Sequence, residues 1–443
     1  MNKELINELL EKKNYTSLQK ELAKGHIADI AELLDELDPK TTLLVFRLLP
    51  KEIAADVFAE ISSESQSDLY VLVNEKELQD ILNDLNFDDK IDFLEEIPAN
   101  VVKRILRNST DTERKLINQF LNYPEDSAGS LMTIEFVDLK KEMTALQALE
   151  KVRSIALDKE TIYTCYVTDS ARHLEGVLSL RDLVIAPPEK KIKEIMREEI
   201  IHANTLDDKE DVADLMKKYD LIAMPITDNE NRLVGIITVD DIVDVIEEEN
   251  TEDFHKMATI GKIDMNVLDA SPFFLIRRRL PWLLLLIFVN IFSGATIAHF
   301  EEIIQAVIAL VFFMPLLIDS AGNAGAQAAT LMIRAMALGE VKIENWFKLL
   351  KKEVITALPL GIILGVAVLA VGYFRGGIDV AVVVALSMIA VVLVGSTMGM
   401  CLPFIFSKVN IDPATASGPL VTSIADIVGV IIYFSIATWY LNI

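Results

Sequence analysis

Over residues 1 to about 125 the apolar positions recur at helical spacing, as in Leu33, Leu34 and Leu37, in Ile81, Leu82 and Leu85, and in Ile91 and Leu94. Strand-like alternation is scarce there. Asp38-Pro39 and Ile97-Pro98 punctuate short helices, and the repeated breaks predict stacked helical hairpins. Such a domain serves more often in interaction or regulation than in catalysis.

From about residue 126 to 250 the pattern changes to short β runs. Ile162-Tyr163-Thr164-Cys165-Tyr166-Val167 is followed by Gly176-Val177-Leu178-Ser179. Ala223-Met224-Pro225-Ile226-Thr227 is followed by Leu233-Val234-Gly235-Ile236-Ile237-Thr238. The two sets form an internal repeat of about 60 residues, opened by Leu131-Met132-Thr133 and by Ile195-Met196. Gly176-x-x-Ser179-x-x-Asp182 in the first half matches Gly235-x-x-Thr238-x-x-Asp241 in the second. The hydroxyl closes a strand and caps the next helix, with the carboxylate in its first turn. The repeat resembles a tandem pair of CBS domains. In many such pairs the same hydroxyl and carboxylate grip a ribose, so Ser179, Arg181, Asp182, Thr238 and Asp241 are candidate contacts for ATP or another adenine nucleotide. Simple N-capping explains the motif equally well. Thr164 and Leu221 stand where an aromatic would help to stack an adenine.

Beyond an acidic helical stretch at 240–255, apolar runs at about 280–300, 303–337, 353–373, 379–406 and 416–440 predict five membrane spans. A span takes roughly 20 residues to cross about 30 Å of hydrocarbon. Arg277-Arg278-Arg279, then Lys342, Lys348, Lys351 and Lys352, then Lys408 occupy one set of flanks, whereas Glu301-Glu302 and Arg375 occupy the other. The positive-inside rule puts the N-terminal part in the cytosol and the C-terminus outside.

Charge sharpens this division. The 443 residues carry a net charge of −25, but residues 1–270 hold 32 Lys/Arg against 58 Asp/Glu and residues 271–443 hold 10 against 9. An acidic part expected in the cytosol, with no signal peptide ahead of it, joins a nearly neutral apolar part. An acidic surface repels phosphate, which argues against a nucleic-acid partner. Two distant cysteines, Cys165 and Cys401, imply no disulfide framework. The five histidines are scattered, and P-loop and nucleophile-elbow motifs are absent, so no catalytic constellation points to an enzyme.

The polar residues within the spans carry the chemistry. Asp426 falls about ten residues into the last span, where a carboxylate costs roughly 2.5–3.5 kcal/mol on insertion scales and usually faces water or a cation. The second span holds Asp319, Asn323, Gln327, Thr330 and Arg334 among small residues that permit close helix approach. Asp319 and Arg334 either pair or lie near the span ends. Asp412, at the expected cytosolic mouth of the last span, is placed to gather cations.

The whole chain resembles the MgtE family of magnesium channels. Tyr123-Pro124-Glu125-Asp126-Ser127-Ala128-Gly129-Ser130-Leu131-Met132-Thr133, Gly322-Asn323-Ala324-Gly325-Ala326-Gln327, and Asp412-Pro413-Ala414 with Pro419-Leu420-Val421-Thr422-Ser423-Ile424-Ala425-Asp426 carry the resemblance. It implies an all-α superhelical N domain at 1–125 and an α/β CBS-domain pair at 126–248, divided at about 126–190 and 191–248. A long connecting (plug) helix at 249–270 and an all-α transmembrane bundle of five helices at 271–443 follow. It further implies a homodimer in the lipid bilayer of the cell membrane, with Mg2+ both transported and regulatory. Asp426 and Thr422, with Asp412 and Asn323, would serve the pore. Cytosolic Mg2+ would shut it by binding Asp56, Asp88 and Asp92 of the N domain, Glu210, Asp220, Asp241 and Asp244 of the CBS pair, and Glu249, Glu252 and Asp253 of the connecting helix. An ion-coupled carrier of divalent cations and a membrane-anchored nucleotide sensor are the competing readings.

Overall fold

The structure, a computed structural model, describes residues 3–261, 263, 267, 270–341 and 345–442. The orientation residue Lys342 and part of the expected connecting segment (262, 264–266, 268 and 269) lie outside the described residues. The chain divides into two compact units, 1–247 and 248–443.

The first unit begins with ten short helices: α1 (Lys3–Glu11), α2 (Tyr15–Leu22), α3 (Ile27–Asp35), α4 (Pro39–Phe46), α5 (Lys51–Glu60), α6 (Ser63–Leu72), α7 (Glu75–Asp84), α8 (Phe87–Glu96), α9 (Ala99–Asn108) and α10 (Asp111–Phe120). Their N-caps from α2 onward are Asn14, His26, Asp38, Pro50, Ser62, Asn74, Asn86, Pro98 and Thr110, one every twelve residues. Eight residues after seven of these nine caps come Leu22, Leu34, Phe46, Phe58, Leu82, Leu94 and Leu106, all buried; the other two places hold the half-buried Tyr70 and the exposed Asn118. Asp38, Ser62, Asn74 and Thr110 accept backbone N–H groups through their side chains, and Asn74 with Glu77 forms a full capping box. The repeating unit is therefore one capped helix, finer than the hairpin the breaks suggested. Helices pack on those two positions along, α3 on α5, α4 on α6, α5 on α7 and α6 on α8.

Next come α11 (Ala128–Leu131), β1 (Val137–Leu139), α12 (Ala145–Ile155), β2 (Thr164–Thr168), β3 (Leu174–Ser179) and α13 (Leu180–Ile185). The second half repeats them as β4 (Ala203–Asn204), α14 (Lys209–Tyr219), β5 (Ala223–Thr227), β6 (Leu233–Thr238) and α15 (Val239–Met257). Each half makes a three-stranded sheet, the first pair parallel and the second antiparallel, with Thr164 opposite Ser179 and Ala223 opposite Thr238. The lead-in to each half pairs with the other half: Thr133 bridges to Ile236 and Arg197 to Val177. This exchange explains the paired glycines and methionines of the repeat. A Cβ on Gly235 would lie 2.8 Å from the Met132 sulfur, and one on Gly176 would lie 2.6 Å from that of Met196.

The second unit holds α16 (Pro272–His299), the short α17 (Glu301–Ala306), α18 (Ala309–Ala337), α19 (Trp346–Lys408) and α20 (Gly418–Leu441). The 63-residue α19 would run about 95 Å if straight, some three times the hydrocarbon thickness. Gly377, at φ 80° and ψ −174°, breaks it into helices at 346–376 and 378–408, a backbone geometry that favours glycine. Five membrane-length helices result. The span expected at 303–337 is interrupted at Val307 (φ −136°, ψ 78°), so its membrane-length helix begins at Ala309.

The connecting helix is continuous with the last CBS helix and stops at Met257, short of the expected residue 270. Thr259 takes the left-handed conformation (φ 57°), Ile260 N–H bonds the His255 carbonyl and Thr259 N–H that of Lys256. That pair of bonds is a Schellman stop.

Candidate functional sites

In the first unit, tertiary packing gathers carboxylates from the N domain and the CBS pair. Asp88 and Asp89 open α8, Asp240, Asp241 and Asp244 lie on α15, and Glu135 and Glu160 flank β1 and β2. Burial, then the Asp241, Asp89 and Glu160 charges, pushes the Asp88 carboxyl well up. Burial and Asp241, with Glu60, Asp56 and Glu135, push Asp89 up to about 6. Burial with Asp240 and Asp241 raises Glu160 to about 7. Asp241 is raised to about 6 by burial, against the opposing hydrogen bond from Thr238. Asp88 Oδ1 and Glu160 Oε2 are buried without hydrogen-bond partners. Buried like charges with unfilled lone pairs are destabilising unless a proton or cation joins them. Among the described residues no three His, Cys, Asp or Glu side chains converge on one point.

Of the N-domain and CBS candidates, Asp56, Asp88, Asp241 and Asp244 belong to this cluster. Asp92 is exposed on α8 one turn from Asp88. Glu210 is exposed in the first turn of α14, and Asp220 caps its other end in the left-handed conformation. Asp89, Glu135, Glu160 and Asp240 were not singled out by the sequence. The Asp88-Asp89 doublet at a helix start was the available signal; nothing local marked Glu160.

The two CBS motifs form matching caps in opposite electrostatic settings. Asp182 Oδ2 accepts from Ser179 Oγ at 2.7 Å, and Ser179 Oγ accepts from Asp182 N–H at 3.1 Å. Thr238 Oγ1 donates to Asp241 Oδ2 at 2.8 Å. Asp182 is held below its usual range by the Ser179 hydrogen bond and by Arg197 and Arg181, whereas its counterpart Asp241 is raised among carboxylates. Tyr163, exposed just ahead of β2, accepts the Leu180 N–H through its carbonyl, which puts an aromatic beside the Ser179 cap.

In the second unit, Asp319, Asn323, Gln327, Thr330 and Arg334 lie along one exposed face of α18. Asn323 Nδ2 donates to Asp319 Oδ2 at 3.1 Å. Asp319 and Arg334 are fifteen residues apart, about 22 Å along the helix, so the alternative in which they pair is excluded. Asp426 is half-buried on α20, which packs against α18. Thr422 sits one turn before it, its hydroxyl donating to the Gly418 carbonyl at 2.8 Å. Thr422 is packed on α18: a Cβ on Gly322 would lie 2.7 Å from Thr422 Cγ2. Elsewhere in the bundle Ser396 bonds Glu353 and Tyr433 donates to the Leu310 carbonyl, whereas the Ser387 and Ser417 hydroxyls are buried without a hydrogen-bond partner. The α18 stripe is not covered by the chain's own helices, and hydrocarbon would be a costly neighbour for it.

Asp412 does not stand free at the foot of α20. Its Oδ1 accepts from Ala414 N–H at 2.8 Å, and its Oδ2 from Lys256 Nζ at 2.5 Å. Lys256 also bonds Glu252, and Asp253 close by is raised by burial and by Asp412. Glu249 is half-buried one turn before Glu252 and Asp253.

An apolar bundle with an intramembrane carboxylate, joined to an N domain and a CBS pair, defines a membrane transporter class. Residues 314–436 match the family described as divalent cation transporter, 25–126 its intracellular N domain, and 192–248 a CBS domain. The chain is 37% identical over 438 residues to the magnesium transporter MgtE of Thermus thermophilus, covering 98% of this chain and 97% of that protein. It is 35% identical over 434 residues to that of Bacillus subtilis, covering 95% and 96%. A crystal structure of the cytosolic domain of the Mg2+ channel MgtE in complex with ATP aligns at 37% identity and TM-score 0.52, covering 54% of this chain and 98% of that one. The soluble part of a magnesium transporter aligns at 31% identity and TM-score 0.52, covering 56% and 97%. The chain belongs to the MgtE family of magnesium transporters.

Proposed function

We propose that this protein moves Mg2+ across the membrane along a path lined by α18 and α20 from two copies of the chain, with its N-terminal unit in the cytosol and its C-terminus outside. The observation that carries this reading is the polar face of α18 beside Asp426. In a single chain it is exposed, and a second copy facing it would enclose it as a wet path. Two Asp426 carboxylates across a two-fold axis would repel unless a divalent cation lay between them. Mg2+ sheds its waters reluctantly, so an outer-sphere site formed by Asp426, the Thr422 carbonyl and Asn323 would hold it loosely enough to let it leave.

Internal Mg2+ shuts this path by neutralising the carboxylates that α8 and α15 bring together, and the Glu249, Glu252 and Asp253 region of the connecting helix takes part. The closed packing binds the ion and the open one does not, which is the differential affinity a switch needs. An adenine nucleotide would bind beside Ser179, Arg181 and Asp182, where Arg181 and Arg197 favour phosphate and Tyr163 offers a ring. The Thr238 and Asp241 side is too acidic for it.

The test is Mg2+ influx into liposomes holding the purified protein, with Asp426→Ala and a chain lacking residues 1–130 for comparison. The expected result is no flux from Asp426→Ala and flux without internal shut-off from the truncation. Unchanged influx and selectivity in Asp426→Ala would refute the pore. Proton movement recorded in the same vesicles separates a channel from a coupled carrier.

A further inference from the structure

The last turn of α15 meets the membrane unit at two points. Met257 packs against an apolar cluster of Ile333, Ala414 and Ala416. Beside it, Lys256 Nζ lies 2.5 Å from Asp412 Oδ2 and 2.5 Å from Glu252 Oε1. The three side chains are 31%, 37% and 30% exposed, so the pair is neither fully solvated nor sealed from screening. Asp412 caps the turn Pro413–Thr415, which leads through Ser417 directly into α20. Whatever holds Asp412 therefore holds the foot of the helix that carries Asp426.

We propose that Lys256 is a positioning residue for transport: it fastens the connecting helix to the start of α20 and so sets the internal Mg2+ concentration at which the path shuts. This rests on the reading that internal Mg2+ shuts transport. Lys256 is the cation that lets Glu252, Asp253 and Asp412 stand together. Without the ammonium the three carboxylates repel, the contact between α15 and Asp412 loosens, and closure has to wait for more Mg2+. Among the described residues the hydrogen bonds and ion pairs of Lys256 go to Asp412 and Glu252 and not to Asp426 or the polar face of α18, so its loss changes the shut-off and leaves the conducting path in place.

The experiment uses the full chain in liposomes, with influx measured against graded internal Mg2+ for wild type, Lys256→Gln, Lys256→Arg, Asp412→Asn and the Lys256→Gln/Asp412→Asn pair. Lys256→Gln should raise the half-shut-off concentration about fivefold, the low end of coupling between sites because the pair is partly solvated. Lys256→Arg should keep the wild-type midpoint, which separates loss of the ion pair from a folding defect. The double variant should shift less than the two single shifts combined, because both break one contact. Normal wild-type shut-off with Lys256→Gln within twofold of it, or additive shifts, overturns the inference alone. Wild-type vesicles that never shut overturn the underlying reading and this inference with it.

Discussion

A Cβ built on Gly399 would come within 2.0 Å of the carbonyl oxygen of Gly325. The neighbouring positions are similarly tight, at 2.4 Å from Gly395 to the Ala321 oxygen and 2.8 Å from Gly325 to that of Gly395. Backbone meets backbone here, so no side chain can swing aside. These glycines let α18 and the 378–408 helix touch along the layer that carries Asp319 and Asn323 on its other face. Gly399→Ala is expected to destabilise the bundle on the order of 1–3 kcal/mol, as overpacking does. Thermal unfolding of the detergent-solubilised protein checks this, with Gly294→Ala as the control, since nothing lies within 4 Å of a Cβ there.

Asp426 and Asp319 should separate by the size of their effects. Asp426→Asn keeps the shape and removes the half-buried charge, and is expected to lower Mg2+ influx at least tenfold, on the order of 1.4 kcal/mol or more in barrier. Asp319→Asn removes a charge from the exposed stripe, where water screens it, and should lower influx by only a few-fold. Equal effects from the two would show that the half-buried position is not the narrow point.

Removal of Mg2+ should loosen the packing of α8 on the CBS pair. Limited proteolysis of the N domain is expected to speed up in chelator and slow down with millimolar Mg2+. Asp88→Asn combined with Glu160→Gln removes two buried charges, so it should resist protease even in chelator. Cleavage at one rate under all these conditions would mean that the carboxylates are only a solvated face.

The first CBS half has its own acid limit. Asp138 is partly buried, which alone would raise it, but Lys151 and Lys140 hydrogen bonds hold it down at about 2. A depressed carboxyl lends stability above its ordinary value near 4, and that stability is lost as the pH falls from there through about 2. Hydrogen exchange over β1 and α12 should therefore accelerate across that window. Asp138→Asn should exchange faster at neutral pH and show less acceleration on acidification.

Much of this protein was legible in sequence because its signals are local. Apolar runs marked the membrane helices, and the paired Gly-x-x-[Ser/Thr]-x-x-Asp motifs marked a capping box at Ser179 and the Thr238–Asp241 hydrogen bond at the matching place. Breaks inside apolar runs were harder. Gly377 is a glycine among many, and only its positive φ shows that it splits a helix. The second span lost its start at Val307, where no proline or polar cluster signals a stop. Sites built by tertiary contact were partly hidden. Glu160 stands in a loop 71 residues from Asp89, yet the two repel across the packed domains. Asp412 read as a lone charge at a mouth, but its counter-ion Lys256 is 156 positions away.

The twelve-residue spacing of caps makes the N-terminal arm a ruler marked in helices. Each mark carries its own stop, start and core residue, so the arm can gain or lose a whole mark while its ends keep their own partners. Loss of a single residue is different: it would turn every later helix by about 100° relative to the stack and put Asn83 and Glu95 where Leu82 and Leu94 now sit. Length in this arm is thus variable in whole steps and rigid within them.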